Sequence, residues 1–231
     1  MRLARSGGGM PNAMNSGPGA LEGRFSLVVG GPFHGLLRRL RLTGADELPT
    51  WRGALALALL AWLPPALLAV AQTVVDDRYS GWGFFGDWMV HARYLIAIWV
   101  MIATERYADG RLVILTQHFR EARIVCEADQ PAFKALLTEA DRRSASAPVE
   151  LIILAPALVW SGVTASYIVD VTGPSWQGSV VAGESVLSWA GETTRFLSTP
   201  LFLFLGLRWI WRFMVWTALL FRISRLPLQL M

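Results

Sequence analysis

The sequence predicts an all-α, polytopic membrane protein with about four transmembrane helices and amphipathic interfacial helices. Apolar residues make up 54% of the 231 residues and charged residues only 16%, a more apolar balance than soluble domains carry. The apolar residues gather into blocks of spanning length, and the charges collect between these blocks and along their borders. The cations also alternate between the joining segments, and that alternation sets an orientation.

Residues 1–24, rich in Gly, Pro, Asn and Ser, contain no apolar stretch and read as a disordered tail rather than a signal peptide. Residues 25–53 read as a cytoplasmic, interfacial segment. Within it Phe33, Leu36, Leu37 and Leu40 share a helical stripe opposite Arg38, Arg39 and Arg41. Each arginine near an anionic leaflet contributes about 1 kcal/mol, enough together to hold such a helix flat on the bilayer.

The transmembrane domain, 54–226, opens with a span over 54–75, a run of 22 residues without a charge. At about 1.5 Å per residue this matches a hydrocarbon core of about 30 Å. Pro64 and Pro65 at its middle deprive the carbonyls of Leu60 and Ala61 of their helical donors and predict a kink. A shorter second span covers 88–104, with His91 and Arg93 near its first end and Glu105 just past its last. The third covers 149–169, where Ala157, Ser161 and Ala165 recur every fourth residue and Gly162 and Ser166 repeat the pattern on an adjacent stripe. Small residues at this spacing let helix backbones approach closely. The fourth covers 196–215, and residues 216–226, with Leu219, Leu220, Ile223, Arg222 and Arg225, continue it as a basic interfacial helix. Arg208 and Arg212 then lie near the far surface, within reach of it by snorkelling.

Seven arginines precede residue 54, one lies in 76–87, six and Lys134 lie in 105–148, and one lies in 170–195. Under the positive-inside rule this alternation requires four spans, with both termini and the central segment in the cytoplasm. The segment 105–147 reads as a cytoplasmic helical hairpin, with Asp129 and Pro131 opening its second helix before Phe133, Leu136 and Leu137. The outer loop of 170–195 reads as a turn at Gly173, Pro174, Trp176 and Gly178, followed by a short surface helix containing Val186, Leu187 and Trp189. Trp51, Trp88, Trp176, Trp209, Trp211 and Trp216 fall near predicted boundaries, as an interfacial aromatic belt requires.

Ionisable groups at membrane depth are costly and are functional candidates for that reason. Arg208 and Arg212 stand four residues apart on one helix face, and Glu105 and Glu150 are their expected carboxylate partners. The set reads as a structural clamp, or alternatively as an anion or lipid-phosphate site formed by two guanidinium groups. On the outer side Asp87 and His91 share the same spacing, so a carboxylate is placed to tune an imidazole, as in a hydrogen-bonding pair or a proton-relay entrance. His34, His118 and the single cysteine, Cys126, lack ligand-like spacing, so no metal or other cofactor is expected.

Phosphate-binding Gly-rich loops, nucleophile elbows and His-Glu-x-x-His helices are missing from the sequence, so no enzyme chemistry is expected. The net charge of +4 lacks a basic stripe with interleaved aromatics, which argues against nucleic acid and for anionic lipid headgroups of the bilayer as partners. A second copy of the chain or another membrane protein is the other partner class. Two functions fit: a transporter or channel-like component using a polar path at Arg208 and Arg212, or a non-transporting assembly or signalling partner acting through 105–147.

Two stretches carry a resemblance. One is Gly30-Gly31-Pro32-Phe33-His34 with Leu36-Leu37-Arg38-Arg39-Leu40, leading to Trp62-Leu63-Pro64. The other is Leu201-Phe202, Leu207-Arg208-Trp209 and Arg212, then Arg222-Ile223-Ser224-Arg225-Leu226. In 30–64 and 201–226 the chain resembles a family of uncharacterised bacterial multi-pass inner-membrane proteins. The resemblance implies a helical domain in the bacterial plasma membrane and no established activity. It also implies further spans beyond this point, so that a chain ending in Leu228-Gln229-Leu230-Met231 reads as truncated.

Overall fold

The computed structural model describes residues 30–44, 48–76, 81–121, 130–172 and 175–225. The expected tail of 1–24, Cys126 and Asp129 lie outside the described residues. The fold is mostly helical, and three of its helices are long and apolar enough to cross a membrane: Trp51–Val75, Ala147–Ala165 and Trp189–Ile223.

Helix α1 (Gly31–Arg39) lies at the near end of the bundle. Phe33, His34 and Leu37 are buried, while Leu36 and Leu40 face outward beside the arginines. The apolar stripe expected from the sequence is thus divided between the protein core and the outer surface. Helix α2 (Trp51–Val75) starts at Thr50, whose hydroxyl accepts from Gly53 N at 3.0 Å and satisfies one of the four unpaired donors of the first turn. Its Ala54, Ala58 and Ala61 are fully buried, and methyl-sized side chains let α5 (Ile98–Glu121) approach with Ile98 and Ile102.

Helix α2 runs unbroken through Pro64 and Pro65. The carbonyl of Ala61, which Pro65 cannot bond, accepts from Ser198 Oγ at 2.5 Å. A serine on the last helix therefore replaces the backbone donor that a proline removes, the kind of repair a span requires where no water can solvate the group.

After α3 (Trp82–Gly86), a rod of residues 88–121 consists of α4 (Trp88–Val90), a π-helical segment His91–Ala97, and α5. Helix α6 (Gln130–Ser144) has Pro131 in its first turn and rests on the far end of the last helix. Its Phe133 and Ala140 meet Val215, Leu219 and Ile223. Within the expected segment of 105–147 both helices form, and α6 buries its apolar face against the last helix.

Helix α7 (Ala147–Thr172) covers the expected third span, and two of its small residues pack inward while Gly162 and Ala165 are only half-buried. Ala157 and Ser161 are buried, with Ser161 Oγ donating to Arg195 O at 2.6 Å. The outer loop differs from expectation. Residues Gly178–Val181 (β1) and Glu184–Leu187 (β2) form an antiparallel hairpin, so Val186 and Leu187 are strand residues and the fold is not purely helical. Ala182 and Gly183 both have positive φ, 54° and 84°, the geometry of a two-residue turn whose twist matches that of the strands.

The last rod is a single helix over Trp189–Ile223, made of α8 (Trp189–Thr193), a π-helical segment Thr194–Ser198, and α9 (Thr199–Ile223). The helix that the sequence placed on the surface is the first turn of this rod. Gln72, buried in α2, accepts from Trp189 N at 2.6 Å, while Ser188 Oγ accepts from Gly191 N at 2.9 Å. These two bonds supply acceptors for the start of the rod.

Ser198→Ala is expected to destabilise the protein by about 1 kcal/mol or more, because it strands the Ala61 carbonyl. In a Pro65→Ala background, where a backbone N–H returns to that carbonyl, the same substitution is expected to cost less. Thermal unfolding of the four proteins of this double-mutant cycle in one detergent measures the coupling, and equal costs in both backgrounds would refute the repair.

Candidate functional site: a buried charge cluster

Glu105, Glu150, Arg208 and Arg212 converge near one end of the bundle, and each is at least nine-tenths buried. Their spacing explains the meeting. Arg208 and Arg212 are one turn apart on α9, so both point at the same neighbouring helices. Arg208 Nη1 donates to Glu105 Oε1 at 2.8 Å, and Arg212 Nη1 donates to the same oxygen at 2.6 Å. Arg208 Nε stands 3.3 Å from Glu150 Oε1 as an ion pair.

Glu150 sits in the first turn of α7, where the helix dipole favours a carboxylate. Its other oxygen, Oε2, accepts from Phe33 N at 2.8 Å. That N–H belongs to the first turn of α1 and has no carbonyl of its own helix to bond. Gly31 makes the approach possible, because its φ is +83° and a Cβ there would lie 2.6 Å from Glu150 Oε1. The Phe33 ring then lies under the guanidinium of Arg208, 4.8 Å from its centroid, and edge-on to Phe204.

Four helices, α1, α5, α7 and α9, are therefore joined through a set of two cations and two anions. The expected snorkelling of Arg208 and Arg212 is corrected: both turn inward, because carboxylates inside the bundle neutralise them more closely than a distant interface does. Asp109, one turn after Glu105, is fully buried as well. It was not singled out in the sequence, although its i, i+4 relation to Glu105 puts it on the same face.

Asp87 and His91 are not brought together as a pair. Asp87 caps α4 with Oδ1, accepting from Met89 N at 3.0 Å, and its Oδ2 accepts from Trp176 Nε1 at 3.1 Å. His91 Nδ1 accepts from Trp62 Nε1 at 2.9 Å, and its Nε2 stands 3.0 Å from Phe85 O. An indole N–H only donates and a carbonyl only accepts, so these partners assign the proton to Nε2. The i, i+4 reading fails because Asp87 precedes the helix and a π-helical segment begins at His91. Trp176, expected in the interfacial belt, is instead buried edge-on to Phe84 and helps to close this end of the bundle.

Among the described residues, no three His, Cys, Asp or Glu side chains are grouped to hold a metal ion. Comparison of the chain with protein-family models, with curated proteins and with solved structures gives no match.

Removing one member of a buried, balanced ion set leaves its partners charged and unpaired. Glu105→Ala is expected to cost about 3–5 kcal/mol in detergent unfolding, far more than Glu139→Ala in the exposed pair with Arg143. Comparable losses from the two substitutions would argue against the clamp. Asp141 on α6 has its carboxyl held above the usual range, first by burial and then by Asp109. A raised folded pKa means that the ionised form costs stability at neutral pH and that the cost vanishes as pH falls into the ordinary carboxylate range. Asp141→Asn is therefore expected to raise the unfolding midpoint near neutral pH, with a gain that shrinks below about pH 4.

Proposed function

We propose that the chain is a bacterial inner-membrane protein that crosses the bilayer four times, with both ends cytoplasmic, as the alternation of its cations requires. The fourth crossing is the rod of 88–121, and the distribution of its side chains carries the reading. Ile96, Trp99 and Val100 face outward while Tyr94, Ile98, Ile102 and Glu105 are buried. Leu60, Leu63 and Leu67 on α2 and Val159, Trp160 and Val163 on α7 face outward in the same way. An apolar exterior around a core that holds carboxylates and guanidinium groups suits lipid as the surrounding solvent.

The closed charge cluster supports a non-transporting role. Arg208 and Arg212 are each neutralised by carboxylates, so the polar path that a transporter reading assigned to them is occupied by the protein's own ion pairs. The surface left for a partner is the cytoplasmic layer of α6 on α9, where a groove of about 190 Å³ is lined by Leu136, Trp211 and Met214, with Arg143 and Arg222 beside it. We read the protein as a membrane-embedded assembly or signalling partner that presents this layer. Exposed Leu36 and Leu40 beside Arg38, Arg39 and Arg41 fit contact of α1 with anionic headgroups.

Reporter fusions test the arrangement on which this role depends. Fusions after Gly81 and Gly183 are expected outside, and fusions after Ala128 and at the C-terminus inside. An Ala128 fusion found outside would remove both the fourth crossing and the cytoplasmic surface.

A further inference from the structure

The two π-helical segments line one cleft at the opposite end of the bundle from the charge cluster. His91–Ala97 contributes Arg93 and Tyr94, and Thr194–Ser198 contributes Thr194 and Arg195. Tyr94 OH and Thr199 Oγ1, 2.8 Å apart, join the two rods at this level. Thr164 of α7 and Gln177 of the outer loop line the remaining sides, and the cavity measures about 40 Å³. A π-helical turn inserts one residue into a helix and redirects the side chains that follow, a device found most often where a helix carries a site. Two such turns from separate rods border the same cleft.

Two charged side chains, Arg93 and Arg195, line the cleft, and both are cations. Arg195 Nε is buried and makes no hydrogen bond among the described residues. Its Nη1 forms a long ion pair with Glu192 Oε1 at 3.9 Å, beyond hydrogen-bond distance, and its guanidinium lies against the Phe196 ring. The hydroxyls of Thr164 and Thr194 already donate to carbonyls of their own helices, to Trp160 O and Ala190 O. Their oxygens keep lone pairs that only accept, so the charged donors of the cleft are the guanidinium groups of Arg93 and Arg195. Lipid-facing residues flank the cleft: Trp160 and Val163 on α7 and Phe196 on the last rod are each more than 60% exposed. The cleft therefore stands where an apolar outer helix surface meets polar side chains.

We propose that this cleft binds a phosphate group, with Arg93 and Arg195 as its charged donors and Gln177 as a neutral one. A guanidinium presents several N–H groups in a fixed plane that matches phosphate oxygens. The phosphate comes either from a phospholipid headgroup or from a free phosphate compound. The proposal does not depend on the four-crossing topology, because it requires only that α7 and the last rod end together at a membrane surface.

Two probes tell the sources apart in the full chain, purified and delipidated in a non-ionic detergent. One is fluorescent phosphatidylglycerol in mixed micelles, and the other is inorganic phosphate followed by thermal shift. Arg93→Gln with Arg195→Gln is expected to weaken whichever probe binds by about tenfold or more, and Arg195→Lys by less. Arg142→Gln, on the exposed face of α6, is expected to leave binding unchanged. Loss confined to the lipid assigns the site to a headgroup, and loss confined to inorganic phosphate assigns it to a free compound. Because Arg93 is exposed, Arg93→Gln alone carries the test if the Arg195 variants do not fold. Undiminished binding of both probes in these variants overturns the proposal, as does failure of the parent protein to bind either one.

Discussion

A single carboxylate oxygen, Glu105 Oε1, accepts from two arginines, and the near end of the bundle is arranged around it. Burying an ion costs several kcal/mol even after relaxation, so a charge at this depth persists only where others of opposite sign meet it at close range. Glu150 completes the balance and extends it, since its second oxygen holds the start of α1. The cluster therefore does more than neutralise itself. It decides which faces of α5, α7 and α9 look inward, and it draws a short amphipathic helix onto the bundle that its own length could not hold there.

The same constraint acts on neutral groups farther along the bundle. Gln72 and Ser161 each bond a backbone group of the last rod, and Ser198 bonds one of α2. Tyr94 and Thr199 bond each other. In water such bonds contribute modestly, because the unfolded chain finds equivalent partners. Within a bundle whose exterior is apolar, every unpaired carbonyl or amide would be costly, and these side chains provide partners at the places where prolines, helix starts and π-helical turns disturb the regular ladder. Apolar packing fills the space between them with alanine and other small residues, which bring backbones close enough for hydroxyl groups to reach.

Several particulars were legible in the residues. Helices α2 and α7 follow from apolar length, and the packing stripe of α7 follows from Ala157 and Ser161 at a four-residue period. Arg208 and Arg212 on one face, with Glu105 and Glu150 at neighbouring helix ends, define the charge cluster by spacing and sign. Other features were not legible. Asp87 and His91 have the spacing of a helical pair, but Asp87 is a cap and the helix after it is π, so register and not spacing decides. The hairpin of β1 and β2 is only eight paired residues long, too short for alternation to stand out from a loop. The partners of Trp62 and Trp176 lie far away in sequence, and a tryptophan near a span boundary reads as an interfacial anchor until a buried acceptor is seen.

The sequence by itself determined that the chain is built of long apolar helices, that charges of both signs lie beside them, and which four ionisable residues are suited to pair. These are properties of local composition and period, and they need no knowledge of neighbours. Only the tertiary structure decided that Arg208 and Arg212 turn inward instead of reaching for an interface, that Phe33 and Gly31 belong to their site, and that α6 rests on α9. Each of those outcomes depends on the distance between groups more than a hundred residues apart or on separate helices. A one-residue change of helical register, such as the π-helical turns introduce, is enough to alter it.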